Sequence, residues 1–177
     1  MFKRILSTIL LVAALLALTS VAAAAPAEKL FNERNVAIIT AAPPSFDRQE
    51  LNSVTPYIRA KVRFPEYSIQ TNEIVPYSTI KDNVDLAKLA QEKNADILLF
   101  INMPTYEEYL FISTFGREVW RVNVYADIYL YDAQSKSLQL KKLRSRDSGE
   151  YGNIAHPNEV LVRALTDLLE NLPTAIK

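Results

Sequence analysis

The hydrophobic and polar positions of this chain change between the spacing of strands and the spacing of helices. Val36 to Thr40 is a short, continuous apolar run before a proline-rich loop, which is typical of a buried strand. Apolar positions then recur at helical spacing from Leu51 to Val62, after a cap at Ser45 or Asp47. Pro56 lies inside this pattern and predicts a kink or a split in the helix.

The middle of the chain predicts another strand, another helix and a central strand. Tyr67 to Thr71 alternates around one apolar residue, and Asn83 or Asp85 is placed to cap a helix that ends at Lys93-Asn94. Asn94 to Met103 is the most apolar segment of the mature chain. Continuous apolarity favours a central strand that is covered on both faces.

The following residues predict a meander of strands. Tyr106 to Phe115 is aromatic and alternates loosely, which fits either a strand extension or a long loop. Val119 to Tyr131 alternates strictly between apolar and more polar positions. A turn at Asp132 to Lys136 then predicts a returning strand from Leu138 to Leu143.

The final helix carries its own start and stop signals. His156 occupies the cap position, Pro157 the first helical position, and Glu159 the position three residues after the cap. An apolar stripe from Val160 to Leu172 ends at Pro173. The predicted fold class is therefore α/β (α+β): a mixed β-sheet with βαβα, then an antiparallel meander and a C-terminal helix, with helices packed on the sheet.

The first residues predict export. Lys3 and Arg4 precede an apolar stretch from Ile5 to Leu18, and small residues follow from Thr19 to Ala25. This is the layout of a secretory signal peptide. The stretch of about fourteen residues is shorter than the roughly twenty that span a bilayer, and an uncleaved anchor is the alternative.

We therefore expect residues 1–27 to be a signal peptide, cleaved near Ala24 or Ala27, and residues 28–177 to form a single globular α/β domain. The expected location is periplasmic or secreted, with no membrane span in the mature chain. The chain contains no cysteine, so the domain must be held together by its core rather than by disulfides. Its 20 basic and 20 acidic residues balance without a concentrated basic run, which disfavours nucleic acid as a partner.

The candidate chemistry is sparse. His156 is the only histidine and the chain has three glycines, so a catalytic triad, a histidine-rich zinc site and a phosphate-cradling loop are all disfavoured. Glu107 and Glu108 are expected on opposite faces, and Asp147 to Glu150 lacks the pattern of a calcium loop. We expect no catalytic residue, no metal and no cofactor, with a carboxylate-based hydrolase as the remaining enzymatic alternative.

Tyrosines are the better candidates for recognition, because each offers an apolar ring with a polar tip. Three of them share one face of the predicted strand from Val119 to Tyr131, and others lie just upstream. The alternative is that these rings pack beneath a helix. The candidate binding residues are Tyr125, Tyr129, Tyr131, Arg121, Tyr106 and Tyr109.

Four short phrases of the sequence carry a family resemblance. They are Val36 to Ile39 before prolines, Ala95 to Leu99 after a helix, the hairpin Val122 to Leu138, and the terminal amphipathic helix. In this order they resemble envelope proteins that include the amino-terminal domain of TolB and the CsgG proteins of curli secretion. Glycines usual in that group are absent, with Ser135 in the hairpin turn, and so is the lipid-bearing cysteine of the secretion channels. The resemblance implies a periplasmic adaptor or assembly domain without catalytic residues.

The sequence thus predicts an exported, non-catalytic envelope protein that binds another protein of the envelope. Contact would be made through the tyrosine-bearing face or through an open sheet edge, which could also join copies of the chain. The alternative outside the enzymes is a small-molecule or glycan-binding module, with the aromatic residues of 106–120 lining a cleft.

Overall fold

A five-stranded mixed sheet forms the centre of the structure, a computed structural model that describes residues 33–79, 84–150 and 152–172. Its strands are β1 (Arg34–Ala42), β2 (Tyr67–Pro76), β3 (Ile97–Ile112), β4 (Glu118–Asp132) and β5 (Ser137–Gly149). Their order across the sheet is β2-β1-β3-β4-β5. Strand β1 runs parallel to β2 and β3, whereas β3, β4 and β5 form an antiparallel meander.

Three helices among the described residues pack on this sheet: α1 (Arg48–Lys61), α2 (Leu86–Glu92) and α3 (Pro157–Leu169). Helices α1 and α3 bury their apolar stripes on one face of the sheet, which we call the α1/α3 face. Helix α2 packs on the opposite face, mainly over β1 and β3. The predicted fold class, with helices packed on a mixed sheet, is confirmed.

The core is therefore unequal on the two faces. The larger cluster joins α1 and α3 to β1, β3 and β4 around side chains such as Ile38, Leu99 and Ile128. The smaller cluster lies under α2 and includes Leu98 and Phe100. Strand β3 contributes to both clusters, which confirms that the apolar segment after Asn94 forms a central strand covered on both faces.

The helix starts follow the sequence signals closely. Asp47 caps α1, where its side chain accepts hydrogen bonds from the backbone N–H groups of Gln49 and Glu50 at 2.7 and 3.1 Å. Asp85 caps α2 in the same way through the N–H of Lys88. The prediction of a split at Pro56 is wrong, because α1 continues through this residue. One missing backbone donor does not outweigh the burial of Leu51, Val54 and Ile58 against the sheet.

The strands are longer than the patterns predicted. Strand β3 continues through Tyr106 to Ile112, so the strand-extension alternative holds, while Phe115 lies in the following turn. Its pairing with β4 shifts between Asn102 and Thr105, next to Pro104, which has no N–H for the ladder. Strand β5, which was predicted to end at Leu143, continues as far as Gly149.

The outer half of the meander projects beyond the parallel strands. Strand β1 pairs with β3 only from Ile97 to Asn102, whereas β4 accompanies β3 as far as Ile112. We call residues 105–112 of β3, with the parts of β4 and β5 that extend them, the outer arm. Within the described residues, the outer arm therefore has neither β1 nor β2 paired beside it.

The described residues belong to one compact unit, Asn32–Lys177. The predicted signal peptide, residues 1–27 with its cleavage near Ala24 or Ala27, lies outside the described residues. So does Pro173, the predicted stop of the last helix. Within the described ranges, no helix is both long enough and apolar enough to cross a membrane.

Candidate functional site

Strand β4 sends alternate side chains to two very different surroundings. Val122, Val124 and Ile128 are fully buried on the α1/α3 face, whereas the residues between them are half-buried on the opposite face. This confirms the alternation predicted from Val119 to Tyr131. Because α2 covers mainly β1 and β3, the opposite face of β4 and β5 has no helix over it in the described part of the chain. We call this surface the open face.

Tyr129 and Tyr131 lie where the open face meets the α2 cluster. Both rings are half-buried and pack against that cluster, and the Tyr129 ring lies 6.0 Å from the ring of Phe100. Tyr125 lies farther along the same face and is also half-buried. The rings are therefore neither free in solvent nor sealed beneath a helix, and each keeps one accessible side.

Strand β5 adds two aliphatic side chains beside these tyrosines. Leu138 pairs with Tyr131 and Leu140 with Tyr129, and the leucines are 52% and 46% exposed. Cross-strand neighbours of this kind are in direct contact on one face of a sheet. The four side chains form an exposed aromatic and aliphatic patch, which we call the tyrosine–leucine patch.

An ion pair lies between this patch and Tyr125. The Nη2 atom of Arg144 is 2.6 Å from Oδ1 of Asp127, and Nη1 donates to the carbonyl oxygen of Ala126 at 2.9 Å. Burial raises the pKa of Tyr129, the charge of Asp127 adds to this, and Arg144 opposes it. The Tyr129 hydroxyl therefore stays neutral at physiological pH and keeps its proton for donation.

A second aromatic group lies on the outer arm. The guanidinium of Arg121 is 4.6 Å from the ring centre of Phe111 and 5.9 Å from that of Tyr109. Its Nη1 atom is 3.4 Å from the Tyr109 hydroxyl. Arg121 lies four residues from Tyr125 along β4, a separation of about 13 Å. The open face thus brings together Tyr125, Tyr129, Tyr131, Arg121 and Tyr109.

Tyr106 does not join this group. It points to the α1/α3 face, is 5% exposed, and meets Phe46 edge-to-face with 5.0 Å between the ring centres. Its hydroxyl lies 2.9 Å from Oε2 of Glu50 and 2.8 Å from Oδ1 of Asn158, and the side-chain amide of Asn158 also donates to Glu50. Burial, followed by the hydrogen bond to Glu50, strongly raises the pKa of Tyr106.

Tyr106 therefore lies apart from the other five predicted binding residues. Tyr106 and Tyr109 are three positions apart, so a continuous strand points them to opposite faces. The spacing of Tyr106 and Tyr109 can be read from the sequence. It places their side chains on opposite faces only if the segment is a strand, and the sequence also allowed a loop. The open face also includes Leu138, Leu140 and Arg144, which were not among the six predicted residues, since their positions depend on the length and register of β5. Phe111 joins them through the extension of β3.

The acidic pair Glu107 and Glu108 and the single histidine do not all meet at one place. Glu107 accepts a hydrogen bond from Asn123 on the open face, whereas Glu108 lies toward α3, with Oε2 3.1 Å from Nδ1 of His156. Their expected opposite orientation is confirmed. His156 occupies the predicted cap position of α3 but makes no side-chain capping bond, since its ring faces Glu108 instead. Within the described ranges, no three histidine or acidic side chains are grouped to hold a metal ion.

An apolar cavity of about 550 Å³ lies at the carboxyl ends of β1 and β2. It is lined by Ala42, Pro43, Pro44, Phe46, Ile74, Pro76, Tyr77 and Ser78. None of the six predicted binding residues is among them. The carboxyl ends of parallel strands are a frequent place for ligands in sheets of this kind.

No family model matches the chain, and no curated protein matches it. Among solved structures, the PelC dodecamer from Paraburkholderia phytofirmans is 14% identical with a TM-score of 0.43, and the match covers 80% of this chain and 88% of that one. The lipoprotein GNA1162 from Neisseria meningitidis is 15% identical with a TM-score of 0.38, with coverage of 78% and 98%. A minor lipoprotein from Acinetobacter baumannii is 12% identical with a TM-score of 0.29, with coverage of 78% and 88%.

Likenesses of this size carry no information on what the present chain binds. Two of these three proteins are lipoproteins by name. None of the three is a TolB or CsgG domain, so the resemblance to that group stays a prediction.

Proposed function

We propose that this chain is an exported, non-catalytic protein of the cell envelope, and that it binds another protein through the open face of β4 and β5. The observation that carries this proposal is the tyrosine–leucine patch with the neighbouring Tyr125, Arg144 and Arg121. Tyrosine and arginine are the residues that most often dominate the binding energy of protein interfaces.

The location in the envelope rests on the amino-terminal segment. Two basic residues, an apolar stretch and a run of small residues up to Ala25 match a secretory signal. An adaptor or assembly role, of the kind that the resemblance to TolB and CsgG implies, would require such export.

The non-catalytic part of the proposal rests on how the acidic and histidine side chains are engaged. Glu50 is held by Tyr106 and Asn158, Glu108 lies against His156, and Glu107 is on the other face of the sheet. A carboxylate-based hydrolase of the glycosidase type needs two such groups that converge on one cleft. These bonds instead favour a structural role for each group.

The patch has the composition expected for contact with a protein. Leu138 and Leu140 are about half exposed, and the rings of Tyr129 and Tyr131 offer apolar area with polar tips. The ion pair of Arg144 and Asp127 lies at the border of the patch, where a polar rim normally surrounds an apolar centre.

The experiment is a cross-linked pull-down from envelope extracts with the double variant Tyr125→Ala/Tyr129→Ala. We expect partners recovered with the unmodified chain to be lost, because truncation of central aromatic side chains typically costs more than about 1 kcal/mol each. Tyr57→Ala is the matched control, since Tyr57 is 55% exposed on α1. An unchanged set of partners for the double variant would refute binding through the open face.

The cavity at the ends of β1 and β2 favours a second candidate function, the binding of a small apolar molecule. Its volume of about 550 Å³ lies in the range of ligand pockets, and its lining is mostly apolar. An apolar fluorescent dye, anilinonaphthalene sulfonate, should bind there. Ser78→Phe should abolish the signal because Ser78 lines the cavity, whereas Thr79→Phe at the next position should leave it unchanged. Equal dye binding by both variants would exclude this site.

A further inference from the structure

Strand β5 forms one border of the sheet. It spans 13 residues and, among the described strands, pairs only with β4. About half of the backbone N–H and C=O groups of an edge strand point away from its neighbour. Such an edge is a template on which another extended chain can pair.

The side chains of β5 give this edge a strong positive charge. Lys141, Lys142, Arg144 and Arg146 lie within six residues, against one acidic residue, Asp147. Two of the basic groups have acidic partners, Lys141 with Asp167 at 3.1 Å and Arg144 with Asp127.

The other two basic groups, Lys142 and Arg146, are exposed on the open face, and no ion pair engages them within the described ranges. Acidic side chains on the same side of an added strand would lie beside them.

The α1/α3 side of the same edge has a different character. A groove of about 300 Å³ runs between β5 and α3. Its lining combines apolar side chains, including Leu143, Val160 and Ala164, with the charged Lys141, Asp147, Arg163 and Asp167. Side chains of an added strand alternate between the two faces of the sheet. Those on this side would therefore enter a small groove, where Leu143, Val160 and Ala164 offer apolar contact.

We propose that β5 accepts an extended segment of a partner protein as a further strand, and that this segment alternates acidic with small apolar side chains. The acidic side chains lie beside Lys142 and Arg146, and the apolar ones face Leu143 and α3. This inference rests on the proposed function and specifies the class of partner, because it assigns the edge, rather than the tyrosine–leucine patch alone, to recognition.

Charge also argues against a second copy as the occupant. An antiparallel pair of β5 strands centred on Arg144 would place Lys142 of each copy opposite Arg146 of the other, with both side chains on the open face. Like charges directly opposite each other destabilise a strand pair. Glu107 and Glu108 are among the acidic side chains that the meander of a second copy could offer, but they already contact Asn123 and His156.

The probe is the capped peptide acetyl-Val-Glu-Val-Glu-Val-Glu-Val-amide, added to the full chain labelled with ¹⁵N. We expect the backbone amides of β5 to shift and to exchange more slowly with solvent, because an added strand takes up their outward groups. Binding should weaken as salt is raised. A peptide with lysine in place of glutamate should bind roughly tenfold more weakly or worse.

Two controls separate strand addition from simple charge attraction. The variant Lys142→Glu/Arg146→Glu should bind the acidic peptide roughly tenfold more weakly, whereas Arg63→Glu/Lys88→Glu, with the same change in net charge at exposed positions elsewhere, should bind it normally. The same acidic peptide with three consecutive N-methylated central residues keeps its charge but cannot pair, and it should not bind. Circular dichroism verifies that each variant is folded.

Three results would overturn the inference: equal binding of the N-methylated peptide, no response of the β5 amides, or self-association through β5 that excludes the peptide in sedimentation. If Tyr125→Ala/Tyr129→Ala loses the envelope partners but β5 does not respond to the peptide, the proposed function is supported and strand addition at β5 is rejected. Peptide binding to β5 with partner capture unaffected by the tyrosine variants would retain the edge and reject the open face.

Discussion

Arg34 and Asp132 form a buried link between the start of β1 and the end of β4. The Nη2 atom of Arg34 is 2.5 Å from Oδ1 of Asp132, and the two side chains are 3% and 5% exposed. Asp132 also accepts a hydrogen bond from the backbone N–H of Gln134 at 2.9 Å. Burial alone would raise the pKa of Asp132, but the hydrogen bonds from Arg34, Ser135 and Gln134, with the charge of Arg34, hold it below its ordinary value.

This pKa predicts how stability depends on acid. Because the folded chain binds a proton at Asp132 less readily than the unfolded chain, this stabilisation is fully present above about pH 4 and is lost as the pH falls through the lowered pKa. Urea unfolding between pH 7 and pH 3 measures it. Asp132→Asn should cost about 3 kcal/mol at pH 7 and flatten the acid limb of the profile. Asp127→Asn, at a more exposed ion pair, should cost at most about 1 kcal/mol, and an equal loss would contradict this assignment.

Tyr106 has a structural role that its sequence neighbours do not reveal. Its hydroxyl joins Glu50 at the start of α1 to Asn158 at the start of α3. We expect Tyr106→Phe to lower the free energy of unfolding by about 1 to 3 kcal/mol, because buried polar partners lose a hydrogen bond. Tyr125→Phe on the open face should change it by less than about 0.5 kcal/mol. Chemical denaturation distinguishes the two, and equal effects would contradict the separation of faces.

Helix α1 carries a proline where helices normally exclude one. Pro56 is exposed and lies within the helix, so it removes one backbone hydrogen bond without filling the core. Pro56→Ala should therefore raise the free energy of unfolding by about 1 kcal/mol or more. Ser53→Ala, at another exposed position of α1, should have a smaller effect. A loss of stability in Pro56→Ala would indicate that the proline fits a shape that the core requires.

Element identity could be predicted well wherever one face of an element is buried. The strict alternation from Val119 to Tyr131 identified β4, and Asp47 and Asp85 marked the helix starts, because capping depends on residues close in sequence. The extent of β3 and β5 was not predictable in the same way. The β5 residues beyond Leu143 are mostly polar, and they are strand because β4 pairs with them.

The candidate surface could be predicted only in part, because the rest depends on how the helices pack on the whole sheet. Alternation shows that Tyr125, Tyr129 and Arg121 share a face, but not which face a helix will cover. That choice depends on α1 and α3 packing together on one side while the short α2 covers mainly β1 and β3. Leu138 and Leu140 became part of the surface through the register of β5, which the turn at residues 133–136 sets.

The outer arm predicts a gradient of local stability across the molecule. Residues Ile97–Asn102 of β3 have a strand on each side, whereas Thr105–Ile112 pair with β4 alone within the described part of the chain. Amide hydrogen exchange should therefore be slowest in the first segment and at least about tenfold faster in the second, since each 1.4 kcal/mol of opening free energy is a factor of ten. Uniform protection along β3 would mean that the arm and the centre open together.

The position of β1 in the sheet also governs the order in which the molecule can assemble. It is the earliest described strand in the chain, yet its neighbours are β2 and β3, and its pairing with β3 is complete only at Asn102. As the chain is synthesised from its amino terminus, some sixty residues must follow β1 before both of its edges are covered. A nascent chain of this protein therefore presents an apolar strand to its surroundings for much of its emergence, so holding factors that bind apolar segments should act on it early and release it once β3 has arrived.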